Sequence, residues 1–188
     1  PNEGRPSDPH EDINFDLENS GKKGIVVDLR TDKGREVLFK LLDETDVFLT
    51  NWRPQALARK NLTYEDLKGR YPSLVYASLT GYGEKGPDKD LPGFDYTAFF
   101  ARSGWSGSLY QKGTVPSNLI PAIGDHQGAL ALTVGVLAAL FRAKMTGKGE
   151  KVTTNLLHTA VWVQSFQIQG AQYGTEFHGV NYPFDRRE

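Results

Sequence analysis

The sequence predicts an α/β fold, a doubly wound parallel sheet with flanking helices, on two observations. Short apolar runs rich in β-branched residues recur at 24–30 (GIVVDLR), 46–51 (DVFLTN) and 74–80 (LVYASLT), the pattern of strands buried on both faces. Segments with apolar residues at helical spacing lie between them, so strand and helix alternate as in β-α-β units.

The elements follow in order. Residues 1–23 are polar and turn-rich and read as a connection. The run 24–30 is the first strand. Val37, Leu38, Leu41 and Leu42 share one helical face in 32–44, with Asp32 near the start. After the strand at 46–51 come two short helices, 55–60 and 64–71, which Pro72 ends. The third strand is 74–80. A loop of glycine, proline and charge covers 81–93, a helix covers 95–102, and a second polar loop covers 103–118. The segment LIPAIGD then opens a long apolar helix at 125–144. A turn, a strand VTTNL at 152–156 and a last apolar helix at 156–172 complete the chain.

Composition narrows the function. The chain has 188 residues, 38% of them hydrophobic, with a formal net charge of −1. Its basic residues are scattered, so no nucleic-acid or anionic-membrane footprint is predicted. With no cysteine, disulfides, thiolate metal sites and cysteine nucleophiles are excluded. His10, His126, His158 and His178 lack metal-ligand spacing, and no metal is expected. The longest apolar run, 128–141, is shorter than the ~20 residues a membrane span needs, and reads as a buried helix. No secretory or transit segment is visible, and a cytoplasmic location is expected. The chain begins at Pro1 inside a connection-like stretch, so further sequence upstream is expected.

Two motifs tempt and fail. Gly81, Gly83 and Gly86 fit a dinucleotide-binding fingerprint after a strand. That fingerprint needs a helix to begin at its third glycine, and Pro87 to Pro92 forbid one; a ligand-lining loop is the better reading. Gly104-Trp105-Ser106-Gly107-Ser108 nearly forms a nucleophile elbow, but lacks the closing glycine and the preceding strand.

Two further features carry chemistry. Asp125 opens the long apolar helix, where the helix dipole and free N–H groups favour an anion. Pattern alone leaves it either an N-cap or a poised nucleophile. Asn51 to Leu62 leaves the second strand at the end where open α/β sheets bind ligands. There Arg53, Arg59 and Lys60 suit phosphates and Trp52 suits a purine face; a solvated basic helix start with a packed tryptophan explains them equally well.

Taken together, the motifs N-W-R-P-x-x-L-x-R (Asn51 to Arg59), S-L-T-G-Y-G-x-x-G-P (Ser78 to Pro87), P-G-F-D (Pro92 to Asp95), G-D (Gly124, Asp125) and T-G-K-G-E-K-V (Thr146 to Val152) resemble the class III CoA-transferase family. This is the carnitine-dehydratase and bile-acid-inducible protein F family, and the resemblance runs from about Asn19 onward. It implies a Rossmann-like large domain of an interlocked homodimer. Residues 1–188 would be part of that domain, without the opening β-α-β unit and the downstream small domain. It implies a cytoplasmic enzyme of amino-acid fermentation, with no permanently bound cofactor. Its substrates would be an acyl- or enoyl-CoA and a 2-hydroxy carboxylic acid of phenyllactate type. Asp125 becomes the nucleophile, passing through an aspartyl anhydride and an aspartyl-CoA thioester. Coenzyme A contacts fall on Val27, Asp28, Leu29 and Arg30, on Asn51, Trp52, Arg53 and Arg59, and on Pro92, Gly93, Phe94 and Asp95. A racemase branch carries histidine where this chain has Phe94, so the second base is absent and racemisation is disfavoured; a 2-methylacyl-CoA racemase stands as the alternative reading, beside a catalytically silent CoA-binding fragment. Asn61 and Gln55 replace glycines common in the family, and Asn61 suits a left-handed position. Phe94, Phe99, Phe100, Trp105 and Tyr110 form either an aromatic pocket or a core.

Overall fold

The structure, a computed structural model, describes residues 13–108 and 120–173. Tyr110, His10, His178 and most of the polar loop at 103–118 lie outside the described residues. The chain divides into two compact units, Pro1–Phe39 and Lys40–Glu188.

In the first unit, helix α1 (Ile13–Asn19) stands where the sequence predicts only a connection. Its Phe15 and Leu17 are exposed, so no apolar stripe marks it in the sequence. The predicted strand at 24–30 does not form. Residues 22–28 are irregular, and Ile25 and Val26 are 63% and 102% exposed. A strand needs a neighbouring edge for its N–H and C=O groups and a surface for its side chains, and this run has no strand partner among the described residues. The chain turns at Asp28 instead. Its carboxylate accepts from the Arg30 backbone N–H at 3.0 Å and from the Arg30 guanidinium through Nε and Nη2, each at 2.9 Å. Thr31 then caps helix α2 (Asp32–Asp43): its Oγ1 accepts from Gly34 N at 3.0 Å and donates to the Asp28 carbonyl at 2.9 Å.

The second unit is built on a parallel sheet in the order β1-β2-β3, from β1 (Val47–Thr50), β2 (Val75–Thr80) and β3 (Lys151–Asn155). Helix α3 (Pro54–Lys60) begins on Pro54, whose fixed φ suits a first helical turn. It ends on Asn61, which takes the left-handed conformation (φ 52°) expected where a glycine is common. Helix α4 (Tyr64–Leu67) carries a capping box between Thr63 and Asp66. It stops well before Tyr71, the chain closing in turns onto the Leu67 carbonyl.

Strand β2 is central, and Val75, Tyr76, Ala77 and Ser78 are all buried. The Tyr76 hydroxyl donates to the Leu62 carbonyl at 3.0 Å. Burial pushes its pKa up to about 12, with Glu84 and Asp66 nearby adding to the shift. The folded value lies above the unfolded one of ~10, so the contribution is fully present below pH ~10 and is lost as pH rises toward 12. Urea titrations at pH 9 to 12 are expected to show this decline, and Tyr76→Phe to flatten it.

A seven-residue π-helix (Asp95–Ala101) replaces the α-helix predicted at 95–102, with Arg102 N bonding the Thr97 carbonyl at 2.9 Å. A short helix α5 (Trp105–Ser108) follows. Phe99 and Phe100 are fully buried, and the Trp105 ring lies 5.1 Å and 5.3 Å from them. They pack on Leu156 and Ala160, so this part of the aromatic cluster is core. Phe94 lies outside it, 68% exposed.

Helix α6 (Ile123–Thr146) lies on the sheet, with Ala139 and Ala143 against Val75. It is not the fully buried helix expected. Leu130, Val134, Leu137, Phe141 and Met145 are 60% exposed or more, because the sheet, α7 and the π-helix leave these residues uncovered among the described residues. By length and composition the helix also meets the requirement for a membrane span. The helix predicted at 156–172 divides at the buried Gln164 into α7 (Leu156–Val163) and α8 (Ser165–Gln172).

Candidate functional site

Strand β2 ends at Thr80, and at the following Gly81 two of the sequence motifs meet. A Cβ on Gly81 would stand 2.4 Å from the Gly93 Cα, and one on Gly93 would stand 2.4 Å from the Gly81 Cα. The two backbones cross with no room for a side chain on either. Gly83 at φ 88° turns the chain away, its N–H bonded to Thr80 Oγ1 at 3.0 Å. Residues 81–92 stay a loop, so no helix follows the glycine fingerprint and the dinucleotide reading fails.

From Gly93 the chain enters the π-helix. Phe94 N–H bonds the Thr97 hydroxyl at 2.9 Å. Asp95 turns inward and is 6% exposed. Its Oδ1 accepts from the Gly124 N–H at 2.7 Å, across 29 positions of sequence. A Cβ on Gly124 would stand 2.2 Å from Phe99 Cγ and 2.3 Å from Asp95 Oδ1. The glycine of the G-D pair is therefore the point where α6 docks on the π-helix.

Asp125 follows in the first turn of α6, and its side chain is exposed. It is not the N-cap. Ala122 takes that position with φ 66°, a left-handed geometry that costs a non-glycine residue about 1–2 kcal/mol. The positive end of the helix dipole still favours a carboxylate at Asp125. The Gly124 N–H is already taken by Asp95.

A cleft of about 730 Å³ opens beyond β1, lined by Asn51, Trp52, Arg53, Gln55, Ala56, Arg59, Lys60 and Asp90. The predicted contacts Asn51, Trp52, Arg53 and Arg59 thus share one site, and its size is that of a small-molecule pocket. Trp52 is 42% exposed and its backbone N–H donates to Thr50 Oγ1 at 3.1 Å. Three cations and a single carboxylate line the cleft, a balance suited to a phosphorylated ligand with an aromatic ring. Gln55 Nε2 donates to Asp90 Oδ1 across one side of it.

The other predicted residues fall elsewhere. Asp125 is not among the residues lining this cleft. Val27, Asp28, Leu29 and Arg30 belong to the first unit, where Arg30 is paired with Asp28. Pro92 and Phe94 are exposed on the chain just after Asp90. Asp95, expected as a coenzyme A contact, has its carboxylate turned to the α6 backbone instead. Sequence reading did not single out Gln55 and Asp90 as cleft residues or Asp95 as a clamp. Gln55 and Asp95 sit inside the N-W-R-P-x-x-L-x-R and P-G-F-D motifs, whereas Asp90 lies in neither and carries no motif signal.

A parallel sheet, a cleft beyond a strand's carboxyl end and a carboxylate on a docked helix start define an α/β architecture with a candidate ligand site. Comparison with known proteins gives the family: a model of CoA-transferase family III matches residues 2–182, and the chain belongs to it. The chain is 55% identical over its full length to the cinnamoyl-CoA:phenyllactate CoA-transferase of Clostridium sporogenes, covering 45% of that protein. It is 49% identical over 91% of its length to the (R)-2-hydroxy-4-methylpentanoate CoA-transferase of Clostridioides difficile, covering 43% of it. Among solved structures, a CAIB/BAIF family protein from Brucella suis superposes with a TM-score of 0.76 at 29% identity, over 83% of this chain and 41% of the other. The chain spans less than half the length of the relatives it matches.

Proposed function

We propose that the protein transfers coenzyme A between an acyl- or enoyl-CoA and a 2-hydroxy carboxylic acid, with Asp125 as the covalent nucleophile. The observation that carries this reading is the setting of Asp125. Its carboxylate is exposed in the first turn of a helix whose preceding residue is locked in place. High identity to two transferases acting on such acids supports the substrate class.

The steps balance as follows. The Asp125 carboxylate attacks the donor thioester carbonyl, and the C–S bond breaks to release CoA thiolate and leave a mixed anhydride. The thiolate attacks the aspartyl carbonyl of that anhydride, releasing the donor carboxylate and leaving an aspartyl-CoA thioester. The acceptor carboxylate attacks this thioester, forming a second anhydride and thiolate. The thiolate then takes the acceptor acyl group, and the Asp125 carboxylate is restored. Nothing is oxidised and no net proton moves. The cleft at Trp52, Arg53 and Arg59 would hold the nucleotide part of coenzyme A.

Racemisation needs a second ionisable group, and the residue in the racemase histidine position is Phe94. Hydroxylamine added together with an acyl-CoA is expected to inactivate the protein and leave a hydroxamate on the peptide carrying Asp125. Unmodified Asp125 in an inactivated sample would refute the covalent route. A homodimer and a cytoplasmic location are part of the same proposal.

A further inference from the structure

Asp95 is a buried carboxylate that the covalent steps above do not use. One of its oxygens accepts the Gly124 N–H at 2.7 Å. The other, Oδ2, is buried with no hydrogen-bond partner among the described residues. Leaving a buried carboxylate oxygen unsatisfied is costly, and groups held in that condition concentrate at functional sites. The contact is tight on every side. Gly124 lies so close to Asp95 and Phe99 that a methyl group could not be inserted. Phe99 is itself fully buried against Phe100 and Trp105. Upstream, the Gly81 and Gly93 crossing ties the π-helix entry to the end of β2.

We infer that Asp95 is a positioning residue for Asp125, acting through the Gly124 N–H to fix the first turn of α6 and hence the bearing of the reacting carboxylate. The inference rests on the proposed role of Asp125. The left-handed Ala122 immediately before the helix gives the turn no side-chain cap, so the tie to Asp95 is what replaces one. The required property is an acceptor at Oδ1. Charge is not required, because a neutral amide oxygen can accept the same N–H. A displacement of about 1 Å at a reacting group can cost ~10²-fold in rate.

The test compares Asp95→Asn and Asp95→Ala in the full-length protein, by steady-state kinetics and by mass measurement of the CoA adduct on Asp125. Asp95→Ala is expected to lower kcat by about 10²-fold with KM for the acyl-CoA within about threefold, and to slow adduct formation in parallel. Asp95→Asn should return kcat to within about tenfold of wild type. If Asp95→Asn is as impaired as Asp95→Ala while both keep wild-type circular dichroism, the carboxylate charge matters and the inference is overturned. Unchanged kcat in Asp95→Ala overturns it as well. Should Asp95→Ala not fold, the Asn variant alone decides: near-wild-type kcat supports the acceptor role, and a ~10²-fold loss refutes it. Adduct found on a residue other than Asp125 in the wild type would instead remove the mechanism beneath the inference, a separate and recognisable result.

Discussion

Replacing Asp125 by alanine is expected to abolish CoA transfer, lowering turnover by about 10⁴-fold or more, while affinity for CoA stays within about twofold of wild type. The first number follows from chemistry. Without the carboxylate neither anhydride nor thioester can form, and direct attack of one acid on the other's thioester has no positioned partner. The second follows from geometry, since Asp125 is not among the residues that line the cleft at Trp52, Arg53 and Arg59. The side chain is exposed, so its loss leaves no cavity and the fold should survive. Isotope exchange between acyl-CoA and free acid, with CoA binding by calorimetry, separates the two effects. Retained exchange at the wild-type rate would end the assignment of the nucleophile.

A large effect on stability is expected at Gly81. Gly81→Ala places a methyl group 2.4 Å from the Gly93 Cα, backbone that cannot swing aside as a flexible side chain can. Overpacking of this kind costs typically 1–3 kcal/mol and occasionally more, and a rigid crossing belongs at the upper end, about 3 kcal/mol. The urea midpoint should fall with an unchanged m-value. Gly93→Ala should behave alike, and the double variant should cost less than the sum, because one separation of the two loops relieves both clashes. Gly69→Ala, where nothing lies within 4 Å of the added Cβ, is the control and should leave the midpoint unchanged. A Gly81→Ala protein as stable as wild type would show that the two loops are free to part.

Local patterns carried much of the architecture. The runs around Val47–Thr50 and Val75–Thr80 become strands because each finds a parallel partner, β1 on β2 and β2 on β3. The run 24–30 has the same local character and stays irregular, since strand formation depends on an edge that residues cannot supply alone. The sequence predicts an α-helix where the π-helix forms, because widened and ordinary turns share nearly the same apolar spacing. Gln164 interrupts α7 and α8 at a residue with ordinary helix propensity, so no local signal marked the break.

The same division holds at the site. By itself the sequence determined the order of motifs, the family to which the chain belongs, the basic and aromatic character of the segment after β1, and the acidic residue at the start of the long apolar helix. These are properties of residues near one another along the chain. The tertiary structure decided that Gly81 crosses Gly93, that Asp95 reaches the Gly124 N–H across 29 positions, and that Asp125 stands exposed in the first turn rather than capping it. Each of those depends on contacts between segments far apart in sequence, whose distances no local periodicity encodes.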